Sequence, residues 1–278
     1  MFLSKLKLGS SIVLSSILGL SFLSNTFAAT PATFNTFLDW CSAKKTLTPA
    51  TLNTIDQILN NLGTQDCQQA SKKIPLTFAL NLSNQNITDL APLATLPNLT
   101  QLNLYNNQIK DLTPLSSLKN LDHLILGNNQ VSDLKPLSDL QKLSRLFLFN
   151  NQISDLTPLS SLSNLSILFL NRNQISDLTP LSSVTSLTEL YATHNQISNL
   201  APLSSLRNLV QLSLDSNNIS DLAPLIPLTK ITTLSLVNNQ IRNVAPLYQL
   251  PKLSKIYLRR NPVADKLCPN NSDALCFL

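Results

Sequence analysis

The sequence predicts a curved solenoid of stacked coils with a parallel β-sheet along its concave side, and two observations predict it. First, a 22-residue pattern recurs along most of the chain: residues 99–120 read LTQLNLYNNQIKDLTPLSSLKN, and 121–142 and 143–164 repeat it almost letter for letter. A period of this size marks a fold built from identical units that bury their apolar faces against one another. Second, glycine occurs four times in 278 residues, twice in the first twenty, so some regular device must replace glycine at the turns. Copies continue from Leu165, Leu187, Leu209 and Ile231, a ninth strand starts at Leu253, and an irregular first copy occupies 77–98.

Within each copy, apolar residues fall at positions 1, 4, 6, 11, 14, 17 and 20. Positions 3 to 7 alternate, the period of a strand with one buried face. Leu102 and Leu104 therefore point inward, while Gln101, Asn103 and Tyr105 point outward. Position 9 is Asn in eight successive copies, from Asn107 to Asn261. Its amide both donates and accepts, so buried where the strand turns it can satisfy backbone groups of its own coil and the adjacent one. Position 13 is Asp in six of eight copies (Asp89, Asp111 and Asp155 among them) and Asn in two, Asn199 and Asn243; position 16 is Pro in all eight, Pro92 to Pro246. Asp or Asn caps a tight turn, and Pro presets the backbone and removes a donor. The unit is too short to return through a full α-helix, so this α/β-type repeat is expected to close through extended and short 3₁₀ segments.

The two ends differ from the middle. Residues 31–75 lack the repeat. Residues 34–41 suit a short helix, and a second helix is well punctuated: Thr48 as N-cap, Pro49 in the first turn, apolar Leu52, Ile55, Ile58, Leu59 and Leu62, then Gly63 as the stop. Together they make a helical N-terminal cap over the first coil, 29–76, ahead of the solenoid at 77–261. Residues 262–278 form a short C-terminal cap. Before all of this, Lys5 and Lys7, the mostly apolar run 12–22 and the small residues at Thr26 and Ala28 read as a signal peptide, 1–28, cleaved after Ala28. The apolar run falls short of the roughly 20 residues that span a bilayer, so the mature chain carries no membrane span. Losing the leader takes the net charge from +5 to +3, spread along the chain with no block of the kind nucleic acid requires.

The pattern LxxLxLxxNxIxDLxPLxxLxx resembles the internalin-type, 22-residue leucine-rich repeat of exported bacterial proteins, over residues 77–261. The resemblance implies a leucine-rich-repeat solenoid that binds protein partners on its concave face, in the medium, the periplasm or the cell envelope. No sorting motif, immunoglobulin-like module or anchoring repeat accompanies the solenoid, so the invasion role of the best-known members is not carried over. Export suits the four cysteines to disulfides. Some eight strand spacings of about 4.8 Å hold the caps roughly 40 Å apart, whereas a disulfide needs Cα atoms within about 7 Å. The expected pairs are therefore Cys41–Cys67 and Cys268–Cys276, the latter closing the C-terminal cap.

Little in the sequence suggests catalysis. The two histidines, His123 and His194, sit at different repeat positions more than three coils apart, roughly 15 Å by strand spacing, too far to share a metal. No phosphate-cradling loop, HExxH or nucleophile-elbow pattern is present. The row of position-13 aspartates is read as turn caps in preference to a calcium ladder, because Asn replaces Asp twice. No metal and no cofactor is expected.

The informative residues are those the repeat does not dictate. Outward strand positions 3, 5 and 7 gather Ile125, Phe147, Phe149, Ile167, Phe169 and Tyr191 on neighbouring strands, with Tyr105 and Tyr257 further along the same face. Exposed apolar clusters of this kind mark interaction sites. Gly127 and Ala192 are expected to leave shallow pockets beside them. The sequence thus reads as a non-enzymatic exported module presenting an aromatic patch to a protein partner. The other readings are an inhibitor or effector that blocks an enzyme, and a passive structural protein of the envelope.

Overall fold

A computed structural model describes residues 34–263 and 275–277; the leader and Cys268, with the pairing expected of it, lie outside these residues. Three helices open the described chain: α1 (Phe37–Ser42), α2 (Pro49–Asn61) and α3 (Cys67–Lys73). Ten three-residue strands follow: β1 (Ala79–Asn81), β2 (Gln101–Asn103), β3 (His123–Ile125), β4 (Arg145–Phe147), β5 (Ile167–Phe169), β6 (Glu189–Tyr191), β7 (Gln211–Ser213), β8 (Thr233–Ser235), β9 (Lys255–Tyr257) and β10 (Leu275–Phe277). All pair in parallel, in chain order, in one sheet. The register is in step throughout: Leu80, Leu102, Leu124, Leu146, Leu168, Leu190, Leu212, Leu234 and Ile256 stand side by side.

The core follows from the repeat. In the coil that begins at Leu99, Leu99, Leu102, Leu104, Ile109, Leu112, Leu115 and Leu118 are each no more than 1 % exposed. Burying a leucine side chain contributes about 1.5–3 kcal/mol, and no single coil could bury its own. The seven apolar positions therefore act only as a stack.

Position 9 completes that stack. The Asn107 oxygen accepts from the backbone N–H groups of Gln85 (3.1 Å) and Ile87 (2.9 Å) in the preceding coil, and its NH₂ donates to Leu82 O (2.9 Å) and Leu104 O (3.0 Å). The same pattern recurs down to Asn261, whose oxygen accepts from Ile241 and whose NH₂ donates to Leu236 O and Leu258 O. A leucine there would orphan these backbone groups.

The convex return is made of short 3₁₀ turns, one per coil, each with its proline in the first turn; Thr113–Ser117 and Ala201–Ser205 are examples. The residue at position 13 accepts from the backbone two residues on: Asp111 from Thr113 N (2.8 Å), Asn199 from Ala201 N (2.9 Å). Asn and Asp do the same work with the same atom. On the other side of the strand, position 8 takes the left-handed conformation in every coil from Asn84 to Arg260, with φ between 53° and 61°. This second turning device has no counterpart in the sequence reading. Asn suits it, and is present at Asn84, Asn106, Asn128, Asn150 and Asn238; Arg172, His194, Ser216 and Arg260 adopt it at a steric cost of about 1–2 kcal/mol each.

The N-terminal cap is sealed by polar bonds as well as by packing. Thr48 caps α2 as expected and Gly63 leaves it at φ 63°. The buried face differs in part from the expected one: Thr51 and Thr54 are buried with Ile55, Ile58 and Leu59, while Leu52 and Leu62 stay half-buried. The reason lies in the first coil, which has no coil before it to pair with its outer side. Thr54 Oγ1 donates to Asp89 O (2.6 Å), Thr51 Oγ1 to Asp89 Oδ2 (2.5 Å) and Asn53 Nδ2 to Gln85 O (2.8 Å). Cys41 at the end of α1 is bonded to Cys67 at the start of α3, with Cα atoms 5.6 Å apart. The helix α3 was not foreseen, although Asp66 caps it and Lys72 and Lys73 end it. At the other end, β10 adds a strand to the sheet beside β9 where only a short cap was expected.

Candidate binding surface on the concave sheet

The strand register brings three rings into one stack, and a fourth joins it diagonally. Phe147 and Phe169 occupy matched positions on β4 and β5, with ring centroids 4.8 Å apart and planes at 22°. Tyr191 continues the stack on β6, 4.1 Å from Phe169 at 18°. At the other end His123, which the sequence reading considered only as a metal ligand, lies on Phe147 at 5.3 Å and 13°. All four are half-buried. Their faces are spent on one another, so the ladder offers a ridge of ring edges in its middle and free faces only at its ends.

The ends are electrostatically distinct. The Tyr191 hydroxyl lies 2.8 Å from Gln211 Oε1 and 3.1 Å from Glu189 Oε2. Burial, then the Glu189 carboxylate, push its ionisation up to about 12. Burial holds the His123 imidazole below its ordinary range, with Arg145 acting in the same direction, so the ring is uncharged at neutral pH.

Tyr105 and Phe149 form a separate pair at position 7, with ring centroids 5.8 Å apart and planes at 41°. They lie two coils apart, and Gly127 stands between them. A Cβ added at Gly127 would fall 2.4 Å from the Phe149 ring. Gly127 therefore does not leave the shallow pocket expected of it: the Phe149 ring occupies that space. Ala192 is fully buried in the core. Asn128 Nδ2 donates to the Tyr105 hydroxyl (3.0 Å), fixing the pair from below.

Ile125 and Ile167 stand beside the ladder in the register of β3 and β5, both half-buried. Tyr257 does not join it. Two strands carrying Ser213 and Ser235 at the same position separate it from Tyr191, and it stacks on Phe277 at 4.9 Å, with Arg259 over that ring at 5.8 Å. His123 and Phe277 are thus the aromatic residues that sequence reasoning missed. His123 was hidden because its register partner is Arg145 and its ring reaches Phe147 diagonally; Phe277 could not be placed, because β10 follows no repeat.

A cavity of about 390 Å³ lies on the concave face where the ladder begins, bounded by Asn61, Asn81, Gln101, Asn103, His123 and Ile125. Among the described residues no group of three or more His, Cys, Asp or Glu side chains is placed to hold a metal ion, and no helix is long and apolar enough to cross a membrane.

The family model for leucine-rich repeats in two copies matches residues 79–117, 119–161, 141–183 and 185–227, more than half of the chain. This chain belongs to the leucine-rich-repeat family. Its repeats are of the internalin type: internalin C2 from Listeria monocytogenes is 34% identical over 76% of this chain and 92% of its own, with a TM-score of 0.70. A leucine-rich-repeat protein of Leptospira interrogans is 27% identical over 66% of this chain and 55% of its own, at 0.56. The ectodomain of the plant membrane receptor kinase GASSHO1/SCHENGEN3 from Arabidopsis thaliana, solved with CASPARIAN STRIP INTEGRITY FACTOR 2, is 25% identical over 66% of this chain and 24% of its own, at 0.58. A search of curated protein sequences gave no match. The leucine-rich-repeat architecture is a protein-binding scaffold, and the concave sheet is the surface it presents.

Proposed function

We propose that this chain is an exported, non-enzymatic binding module that takes a protein partner on its concave sheet, along the ladder of Phe147, Phe169 and Tyr191. Ile125, Ile167, Tyr105 and Phe149 border the contact, and Tyr257 forms an outlying one. The observation that carries the reading is the ladder itself: half-exposed aromatic side chains on adjacent strands, flanked by polar positions such as Asn103 and Ser213. Aromatic residues near the centre of a contact are the usual energetic anchors of protein interfaces. The plant receptor ectodomain supports the reading by architecture, since it was solved in complex with CASPARIAN STRIP INTEGRITY FACTOR 2. Export is supported by the leader pattern and by the Cys41–Cys67 bond, which suits an oxidising compartment, either outside the cell or in its envelope.

One observation favours a second reading. The ring faces are consumed by stacking, so the ladder also stiffens the middle of the sheet, as a passive structural protein would require. Phe147→Ala with Phe169→Ala separates the two. If the ladder is a contact, the variant unfolds within a few degrees of the parent and loses binding to the partner captured from envelope extract and then purified, by about a hundredfold or more, as for paired anchors. Undiminished binding overturns the assignment. N-terminal sequencing of the mature protein is expected to begin at Ala29.

A further inference from the structure

The cavity at the start of the ladder has a chemistry of its own. Its end wall is Asn61 from α2, its floor β1 and β2, and its far wall His123 and Ile125 on β3. One face of the His123 ring lies on Phe147, so the opposite face bounds the cavity. About 390 Å³ is within the range of small-ligand sites.

The polar groups around it are uncommitted in a specific way. Asn81 Oδ1 accepts from Ser83 N (3.2 Å) and Ser83 Oγ (2.9 Å), and Asn103 Oδ1 accepts from Tyr105 N (3.0 Å). Each bond fixes an amide by its oxygen and leaves the NH₂ with no protein acceptor. The Gln101 amide makes no hydrogen bond within the protein and is exposed. These groups therefore offer fixed donors and one free donor–acceptor amide beside a flat ring.

No lining residue is an acid, a lysine or an arginine, so nothing there compensates a charged ligand. Strand addition along the free edge of β1 is blocked at Asn81, whose backbone N–H already donates to Asn61 Oδ1 (3.2 Å). What remains is a neutral molecule with one flat C–H face and a rim of hydroxyls. A pyranose ring has that shape, and its width is close to one strand spacing of about 4.8 Å. Its C–H bonds, polarised by neighbouring oxygens, suit the electron-rich face of a ring, and each hydroxyl both donates and accepts, as the amides require.

We infer that this cavity is a saccharide site, in which a neutral pyranose stacks on the free face of His123 and takes hydrogen bonds from Asn81, Asn103 and Gln101. The inference does not depend on the protein-binding role of the ladder, since it uses the ladder's end and not its ridge.

The test is an array of neutral oligosaccharides, followed by titration of the hits and of cellobiose, maltose and chitobiose into ¹⁵N-labelled mature protein. The expected result is retention of at least one neutral saccharide that shifts the side-chain NH₂ signals of Asn81, Asn103 and Gln101. His123→Ala should abolish the binding. Gln101→Ala should weaken it about three- to tenfold, the loss of one hydrogen bond, and it keeps the test sound should the His123 variant unfold, because the Gln101 side chain bonds to nothing in the protein. Lys252→Ala, exposed in the turn between β8 and β9, should leave it unchanged. Retention of no neutral saccharide overturns the assignment. So does retention of anionic glycans alone, or binding that survives Gln101→Ala and His123→Ala undiminished.

Discussion

Two ladders run along the stacked coils, one on the sheet and one in the turn after it, and they differ in what holds them. The asparagine ladder at position 9 is bonded to backbone: each amide serves groups on its own coil and on the one before. The aromatic ladder is bonded to itself, ring on ring, with Tyr191 alone reaching polar partners. The first fills every copy from Asn107 to Asn261; the second spans four strands and ends. A side chain that the backbone depends on leaves no room for variation. One that depends only on its neighbours can be exchanged at small cost, and this is where a repeat protein places what is particular to it.

The comparison breaks most sharply at Asn129→Leu. Its NH₂ donates to Leu104 O (3.0 Å) and Leu126 O (2.9 Å), and its oxygen accepts from Ile109 N (3.0 Å). Leucine would strand these buried groups, at about 1–3 kcal/mol each. A loss of about 3–5 kcal/mol in urea unfolding is expected; a loss under 1 kcal/mol would show that the two ladders are held alike.

Gly127→Ala sharpens it. The added methyl displaces the Phe149 ring, and overpacking of this kind costs about 1–3 kcal/mol. Because the obstacle is one movable ring, the cost should vanish in a Phe149→Ala background, which a double-mutant cycle reads directly. An equal cost in both backgrounds would mean that the backbone, not the ring, resists the methyl.

The smallest effect belongs to the aspartates of the convex turns. Hydrogen bonds from Thr113, Thr157 and Thr179 hold the carboxyls of Asp111, Asp155 and Asp177 below their ordinary range. A carboxyl lowered on folding contributes stability that is present above its unfolded value of about 3.9 and is lost as pH falls through the folded value. Replacing the three by Asn should therefore change little at pH 7, as Asn199 and Asn243 already show by bonding in the same way. It should flatten the fall in the urea midpoint below about pH 4. An unchanged acid profile would remove these groups from the account.

What was legible in the sequence follows the same division. Residues dictated by backbone geometry, such as Asn107, Asp111 and Pro114, announce themselves because the requirement recurs every 22 residues. The outward residues of the sheet were legible as a set of positions, since strand alternation fixes their side, and Phe147, Phe169 and Tyr191 do stand together. Their partition was not legible. Tyr105 and Phe149 pair across Gly127 because a missing Cβ admits a ring, and His123 joins Phe147 diagonally; both are matters of side-chain reach that spacing does not encode. The left-handed residues at position 8 were hidden for another reason. Arg172 and Arg260 do not look like turn residues, and only the surrounding coil imposes that conformation on them.

The asparagine bonds also point one way along the chain. Asn107 completes backbone groups of the coil that starts at Thr77, Asn129 those of the next, and so on to Asn261. Each coil is therefore completed by the coil that follows it, while the first is backed on its other side by Thr51, Asn53 and Thr54 of the cap. The solenoid thus has a polarity: removing its last coil would leave backbone groups of the one before it unpaired, so the two ends are not equivalent.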